Sequence, residues 1–227
     1  MRLRVIAVLL ALAWAGGCSG DGRAPDRQAP PLASPRSSPQ PAPGTRPRVV
    51  VLGDSLTAGL GLPVDEAYPA LLQQKITAAG YPFEVVNAGV SGDTTAGGLR
   101  RLDWVLDGDV RVLIVALGGN DALRGLSPRE MANNLRAIIE RAKRRGIRVL
   151  LAGMEAPRNF GREYTTAFQN AFREVARDER VAFIPFLLEG VAGRADLNQA
   201  DGIHPNSHGA AIVADTVWRA LQPMLAS

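Results

Sequence analysis

The sequence predicts a doubly wound α/β fold, a single domain with one five-stranded parallel sheet between layers of helices. Five short apolar runs, at residues 49–52, 83–86, 112–117, 149–152 and 181–184, lack polar alternation, as strands covered on both faces do. Helical periodicity fills the intervals, and a strand–helix–strand order closes into a parallel sheet through right-handed crossovers. The polar residues that follow these runs fall where such a sheet binds ligands, beyond the carboxyl ends of its strands.

Taken from the amino terminus, the chain falls into three parts. Residues 1–18 read as an export signal. Arg2 and Arg4 precede an apolar run, residues 5–17, shorter than the roughly 17–25 residues that span a bilayer, and small residues then lead to Cys18. Ala15-Gly16-Gly17-Cys18 resembles the lipobox of bacterial lipoproteins, whose cysteine is lipidated and becomes the mature amino terminus, although Ala15 replaces the more usual leucine. An ordinary secretory signal with an incidental thiol is the alternative. One cysteine makes no internal disulfide and no thiolate zinc site.

Residues 19–47 hold eight of the sixteen prolines and almost no large apolar side chain, so they bury too little surface to order themselves and read as a disordered linker. Extended as polyproline at roughly 3.1 Å per residue, the linker would reach on the order of 90 Å and hold a domain off a membrane. The net charge of +4 resides in this leader region, because residues 48–227 carry 20 Lys+Arg against 20 Asp+Glu. A formally neutral domain argues against a phosphate-backbone groove, and no nucleic-acid partner is expected.

Within residues 48–227 the clearest helix starts at Ser127-Pro128-Arg129-Glu130, a capping box with proline at the first helical position. It continues through Met131, Leu135, Ile138, Ile139 and Ala142 and stops at Gly146. Tyr164, Phe168, Phe172 and Val175 make a second stripe, and Ile212, Val213, Val217 and Leu221 a third. Trp104 and Trp218 fall on helical patterns as packing residues.

Four polar segments follow these elements: Gly53-Asp54-Ser55-Leu56, Asn87-Ala88-Gly89, Gly118-Gly119-Asn120-Asp121, and Asp201-Gly202-Ile203-His204-Pro205 before the last helix. Ser55, where a strand turns into a helix, presents a hydroxyl to the crevice next to a helix amino terminus; it is also read as a helix cap. Of only two histidines, His204 lies three residues after Asp201, so one turn can hold carboxylate and imidazole together. Asp201 is alternatively a turn acid. A metal trio of Asp201, His204 and His208 is conceivable, but no HExxH pattern or fourth ligand supports it and His208 is given no catalytic role.

Together, in this order, the four segments resemble the sequence blocks of GDSL esterases and lipases, the SGNH hydrolases, across essentially all of residues 48–227. Asn120-Asp121-Ala122-Leu123-Arg124-Gly125 and residues 154–164 are similar to the branch of bacterial arylesterases and the multifunctional thioesterase/lysophospholipase. The resemblance implies a flavodoxin-like fold and a catalytic set of Ser55 as nucleophile, His204 as base and Asp201 as its orienting acid. Candidate oxyanion donors are the backbone amides of Ser55 and Gly89 and the side-chain amide of Asn120. Gly89 and Asn120 are otherwise turn or capping residues. Asp54 and Asp121 brace their loops by accepting backbone hydrogen bonds. Met154 and Phe160 are candidate substrate-binding residues on a mobile wall of the acyl pocket, or core-facing members of an ordinary connection.

The expected activity is that of a serine ester hydrolase of arylesterase, lipase or lysophospholipase type, cleaving carboxylic esters or thioesters through an acyl-enzyme. The alternatives are a deacetylase of acetylated polysaccharides using the same residues and a non-catalytic envelope lipoprotein that binds lipid or glycan. GxSxG and GxxxxGK[ST] are absent, and Gly59-x-Gly61 lacks a third glycine, so neither the common α/β-hydrolase elbow nor a nucleotide loop is indicated. No cofactor and no metal are called for. An ester or lipid small molecule is the expected ligand, and the expected location is the cell envelope, with a lipid anchor at Cys18.

Overall fold

The computed structural model describes residues 46–226, so the leader, with Trp14 and Cys18, and residues 19–45 of the linker lie outside the described residues. The elements run β1 (Arg48–Gly53), α1 (Ser55–Ala58), α2 (Tyr68–Ala78), β2 (Glu84–Gly89), α3 (Thr95–Arg100), α4 (Leu102–Val105), β3 (Val110–Ala116), α5 (Gly119–Leu123), α6 (Pro128–Arg144), β4 (Arg148–Ala152), α7 (Gly161–Asp178), β5 (Ala182–Ile184) and α8 (Ser207–Leu225). The five strands form one parallel sheet in the order β2-β1-β3-β4-β5.

Right-handed crossovers place α2 on one face and the helices after β2, β3 and β4 on the other. α8 packs on α2, where Lys75 pairs with Asp215, and α6 packs between α3 and α7. The strand order reverses at β1 and β3, so the crevice beyond their carboxyl ends is the topological switch point of the sheet.

The three central strands are the apolar core. Val49 to Leu52 on β1, Val112 to Val115 on β3 and Leu150 to Ala152 on β4 are all at most 1% exposed. β2 departs from the expected two-sided burial because it is an edge strand, and its residues are half-buried or exposed. It also runs further than its apolar run suggests. Asn87-Ala88-Gly89, read from sequence as a loop, continues the strand, and Gly53 pairs in register with Gly89.

Local chemistry accounts for the helices. Ser127 caps α6 by accepting from the Glu130 N–H at 3.4 Å; Pro128 opens the helix, and Arg141, Lys143 and Arg144 lie in its last turn against the dipole's negative end. Its stripe of Met131, Leu135, Ile138, Ile139 and Ala142 is buried. Phe168 and Phe172 of α7 meet edge to face, with ring centroids 5.4 Å apart. Asn206 caps α8 by accepting from the Gly209 N–H at 3.1 Å. Trp218 is partly buried against the core and packs edge-on on Tyr81, as a packing residue should. Trp104 corrects the sequence reading: it is 77% exposed, because the four-residue α4 turns it outward beside β2.

Candidate active site

β1 delivers its last residue, Gly53, into a turn that only glycine permits. A Cβ there would stand 1.9 Å from the Thr57 hydroxyl, which is buried and hydrogen-bonded to Tyr68 at 2.8 Å. Asp54 then caps α1, its carboxylate accepting from the Leu56 N–H at 3.0 Å, and Ser55 becomes the first residue of that helix. The Ser55 N–H is therefore one of the amides that the helix itself cannot pair.

The segment before α8 brings the histidine to this serine. A bridge between Asn198 and Pro205, and a Gln199 N–H bond to the His204 carbonyl at 2.8 Å, fold residues 198–206 back on themselves. Gln199 also donates through its side chain to the Leu60 carbonyl at 2.7 Å, tying this loop to the one that follows α1. His204 Nε2 lies 2.9 Å from Ser55 Oγ, and His204 Nδ1 lies 2.6 Å from Asp201 Oδ2.

A carboxylate only accepts, so Nδ1 carries the proton and Nε2 of the neutral ring is left to accept from the serine hydroxyl. The second Asp201 oxygen accepts from the Ile203 and His204 N–H groups at 2.9 and 3.0 Å. Those backbone donors first, and the imidazole after them, hold the Asp201 carboxyl down at about 2, although it faces solvent.

β3 supplies the third component. Asp121 in α5 is 2% exposed and accepts from both the N–H and the hydroxyl of Thr95, at 2.9 and 2.6 Å, locking α5 against α3. The lock fixes Asn120, which lines the crevice and donates to the Asp93 carbonyl at 2.9 Å and, more weakly, to Asp54 at 3.3 Å. Asp54 is 3% exposed, and burial raises its pKa to about 6 against the pull of the Leu56 N–H and of His204. Both aspartates therefore brace loops, as their sequence positions suggest.

Gly89 does not reach the site. Its N–H is bonded to the Asn87 side chain at 2.9 Å, and a Cβ on it would stand 2.3 Å from the backbone nitrogen of Ala58, so it is the seat of α1 on β2. Three positions on is a glycine that the sequence reading does not single out. Gly92 sits at φ +81° with its carbonyl accepting from Arg124 at 2.6 Å, beside the Asp93 carbonyl that holds Asn120. Arg101 was also overlooked: it pairs with Asp93 at 2.7 Å and donates to the Ala88 and Gly53 carbonyls, clamping the ends of β1 and β2 to this loop. A glycine in a Gly-Asp step after a strand was the available signal for the first; nothing local marked the second.

A cavity of about 630 Å³ opens beside Ser55, His204 and Asn120. Its walls are mainly apolar, and Met154 is among them. Phe160 is not. It packs on Tyr164 with ring centroids 5.2 Å apart and lies over Gly125, because the three-residue turn Arg158–Phe160 directs Arg158, rather than the aromatic ring, to the cavity. His208 is exposed and lines no part of the cavity.

Residues 51–212 match the GDSL-like lipase/acylhydrolase family. The chain is 43% identical over 178 residues to an esterase, TesA, of Pseudomonas aeruginosa, covering 78% of this chain and 89% of the relative. It is 38% identical to thioesterase 1/protease 1/lysophospholipase L1 of Escherichia coli, covering 78% and 84% respectively. A crystal structure of TesA superposes with a TM-score of 0.76 at 42% identity, over 78% of this chain and 99% of that one.

Proposed function

The chain belongs to the GDSL-like lipase/acylhydrolase family and is an ester or thioester hydrolase, and from that premise we propose that it works through an acyl-enzyme on Ser55. The single observation that carries the proposal is the continuous relay Ser55 Oγ–His204–Asp201, with contacts of 2.9 and 2.6 Å, opening on an apolar cavity.

In this reading Ser55 Oγ attacks the acyl carbonyl carbon while His204 Nε2 takes its proton. Asp201 keeps the ring in the Nδ1–H tautomer and stabilises the imidazolium. The negative oxygen of the tetrahedral intermediate is held by the Ser55 N–H, the Asn120 amide and the Gly92 N–H, which replaces Gly89 as a donor; Asn120 gives up its longer bond to Asp54 to do so. His204 returns the proton to the departing alcohol or thiol. A water deprotonated by His204 then attacks the Ser55 ester, and the carboxylic acid leaves. Each group is used twice and none is consumed. The apolar wall containing Met154 suits acyl chains or aryl groups, which gives short to medium fatty esters and aryl esters as substrates.

The same reading places the enzyme outside the cytoplasm. Arg2, Arg4 and the apolar residues up to Gly17 act as an export signal, Cys18 carries lipid, and the proline-rich linker tethers the domain beginning at residue 48 to an envelope membrane. Among the described residues no helix is long and apolar enough to cross a membrane, so in this reading attachment depends on the lipid. Mass spectrometry of the mature amino-terminal peptide tests the anchor: a diacylated Cys18 is expected, and an unmodified chain beginning elsewhere contradicts it. Labelling of the intact protein by a fluorophosphonate, mapped by peptide sequencing, tests the nucleophile. Modification at Ser55 is expected, and labelling at another serine overturns the assignment.

A further inference from the structure

Three loops meet beside Ser55, and one buried guanidinium touches two of them directly and the third through a single carbonyl. Arg101 stands where α3 gives way to α4, and from this break in the helix its side chain reaches the carboxyl ends of β1 and β2. Its Nε donates to the Asp93 carboxylate at 2.7 Å, and its two terminal nitrogens donate to the Ala88 carbonyl at 2.7 Å and to the Gly53 carbonyl at 2.9 Å. Both side chains of the ion pair are largely buried, at 18% and 12% exposure.

The acceptors are placed around the donors of the reaction. Gly53 lies two residues before Ser55, and Ala88 and Asp93 bracket the segment that holds Gly92. The Asp93 carbonyl in turn accepts from the Asn120 amide at 2.9 Å. One planar fork therefore ties together the segments that carry the Ser55 N–H and the Gly92 N–H and the residue that holds Asn120. Arg101 is itself well anchored, because Thr94 caps α3 by accepting from the Gly97 N–H at 3.2 Å and Asp121 holds Thr95 through two bonds.

A buried ion pair adds little net stability over an apolar replacement, since desolvation offsets the attraction. What the guanidinium supplies, and an ammonium does not, is three hydrogen bonds in fixed directions from one rigid plane. Asp93 neutralises its charge, so its influence on a developing oxyanion is one of placement. Donors to a tetrahedral oxygen lose much of their effect when they are misplaced by about an ångström.

We propose that Arg101 is a positioning residue of the oxyanion site. It fixes the turn after β1 against the β2–α3 connection and, through the Asp93 carbonyl, aims the Asn120 amide. The proposal rests on the acyl-enzyme reading with Asn120 as a donor and deepens it; Arg101 touches no reacting atom.

The test uses the full chain and p-nitrophenyl butyrate, with kcat expressed per site titrated to completion by a fluorophosphonate, so that unfolded molecules are not counted. Arg101→Lys keeps the charge, but its single nitrogen cannot sit at all three acceptors. It is expected to lower kcat by about tenfold to a hundredfold with KM within about twofold of wild type. A butyl trifluoromethyl ketone, whose hemiketal adduct with Ser55 carries the same oxyanion, should bind more weakly by a similar factor. In an Asn120→Ala background the same substitution should cost about threefold or less, because the amide that it aims is gone. Asp93→Asn cuts the clamp from its other end and leaves a weaker acceptor for Nε. It should show a smaller loss with the same split between kcat and KM, and it carries the test if Arg101→Lys does not fold. An unchanged kcat per titrated site, a change confined to KM, or an equal loss with and without Asn120 overturns the proposal alone. If Asn120→Ala itself leaves kcat unchanged, or turnover survives Ser55→Ala, the underlying reading fails and the proposal with it.

Discussion

The Asp54 carboxylate lies 3.3 Å from the Asn120 amide although 66 residues separate them, and this contact joins the turn after β1 to the helix after β3. It is a buried acid beside an amide that lines the crevice, and its burial has a measurable consequence. The folded-state pKa stands at about 6, against an ordinary 3.8 in the unfolded chain. The native state therefore holds this proton more tightly than the unfolded state does. That contribution to stability is fully present below about pH 4 and is lost as pH rises through 6.

Asp54→Asn removes the titration while keeping an acceptor for the Leu56 N–H. The stability of the variant relative to wild type is expected to rise by on the order of 1–3 kcal/mol between pH 4 and pH 7 and to level off above that. Urea unfolding at a series of pH values measures it; a difference that does not change with pH would show that Asp54 is not held protonated by burial.

Asn120→Ala should lower kcat by about 10²–10³-fold with little change in KM, because the donor acts on charge that develops only in the transition state. Steady-state kinetics on p-nitrophenyl butyrate decide it. An effect confined to KM would remove Asn120 from the oxyanion site.

At Asp201 two backbone N–H groups and the imidazole hold the carboxyl down at about 2, so the group stays charged throughout the working range. Asp201→Asn should reduce kcat by about 10³–10⁴-fold by releasing the imidazole from its productive tautomer. A loss below tenfold would mean that the ring is oriented by the surrounding loop and not by this carboxylate.

A stability experiment separates Gly89, the last residue of β2, from Gly92 in the β2–α3 connection. Gly89→Ala drives a methyl group into the backbone of α1, which cannot yield, and should lower Tm by several degrees or more. Gly92→Ala meets only the end of the Arg124 side chain at 3.7 Å, and its cost is the roughly 1–2 kcal/mol of a left-handed backbone. Thermal unfolding of the two variants should rank Gly89→Ala as the more damaging; the reverse order would contradict the packing of α1 on β2.

How much of this was legible beforehand depended on the range of the interactions involved. The fold was readable because Val49 to Leu52 and Val112 to Leu117 are runs too apolar to face water, and because Ser127-Pro128 opens a helix by local chemistry alone. Asp201 and His204 were readable because three residues of spacing already bring them together. Edge and centre were not. β2 and β1 have similar apolar runs, and only the strand order shows that β2 has one neighbour. Gly89 reads in the sequence as an oxyanion candidate because a glycine that accommodates a packed helix and one with a free amide look identical in one dimension, and here its N–H is taken by the Asn87 side chain. Arg101 was invisible for a related reason, since its partners lie on β1, β2 and the following loop and meet only after the sheet has formed. Phe160 and Trp104 were misplaced by short turns whose direction no periodicity encodes.

The central claim is tested most directly by hydrolysis of p-nitrophenyl esters, from acetate to long chains, by the full chain and by Ser55→Ala. The account predicts turnover by the wild type on short to medium chains, falling by at least about 10⁴-fold in the variant while the fold is retained. Turnover that survives the loss of Ser55, or a folded wild type inactive on every chain length, would contradict it.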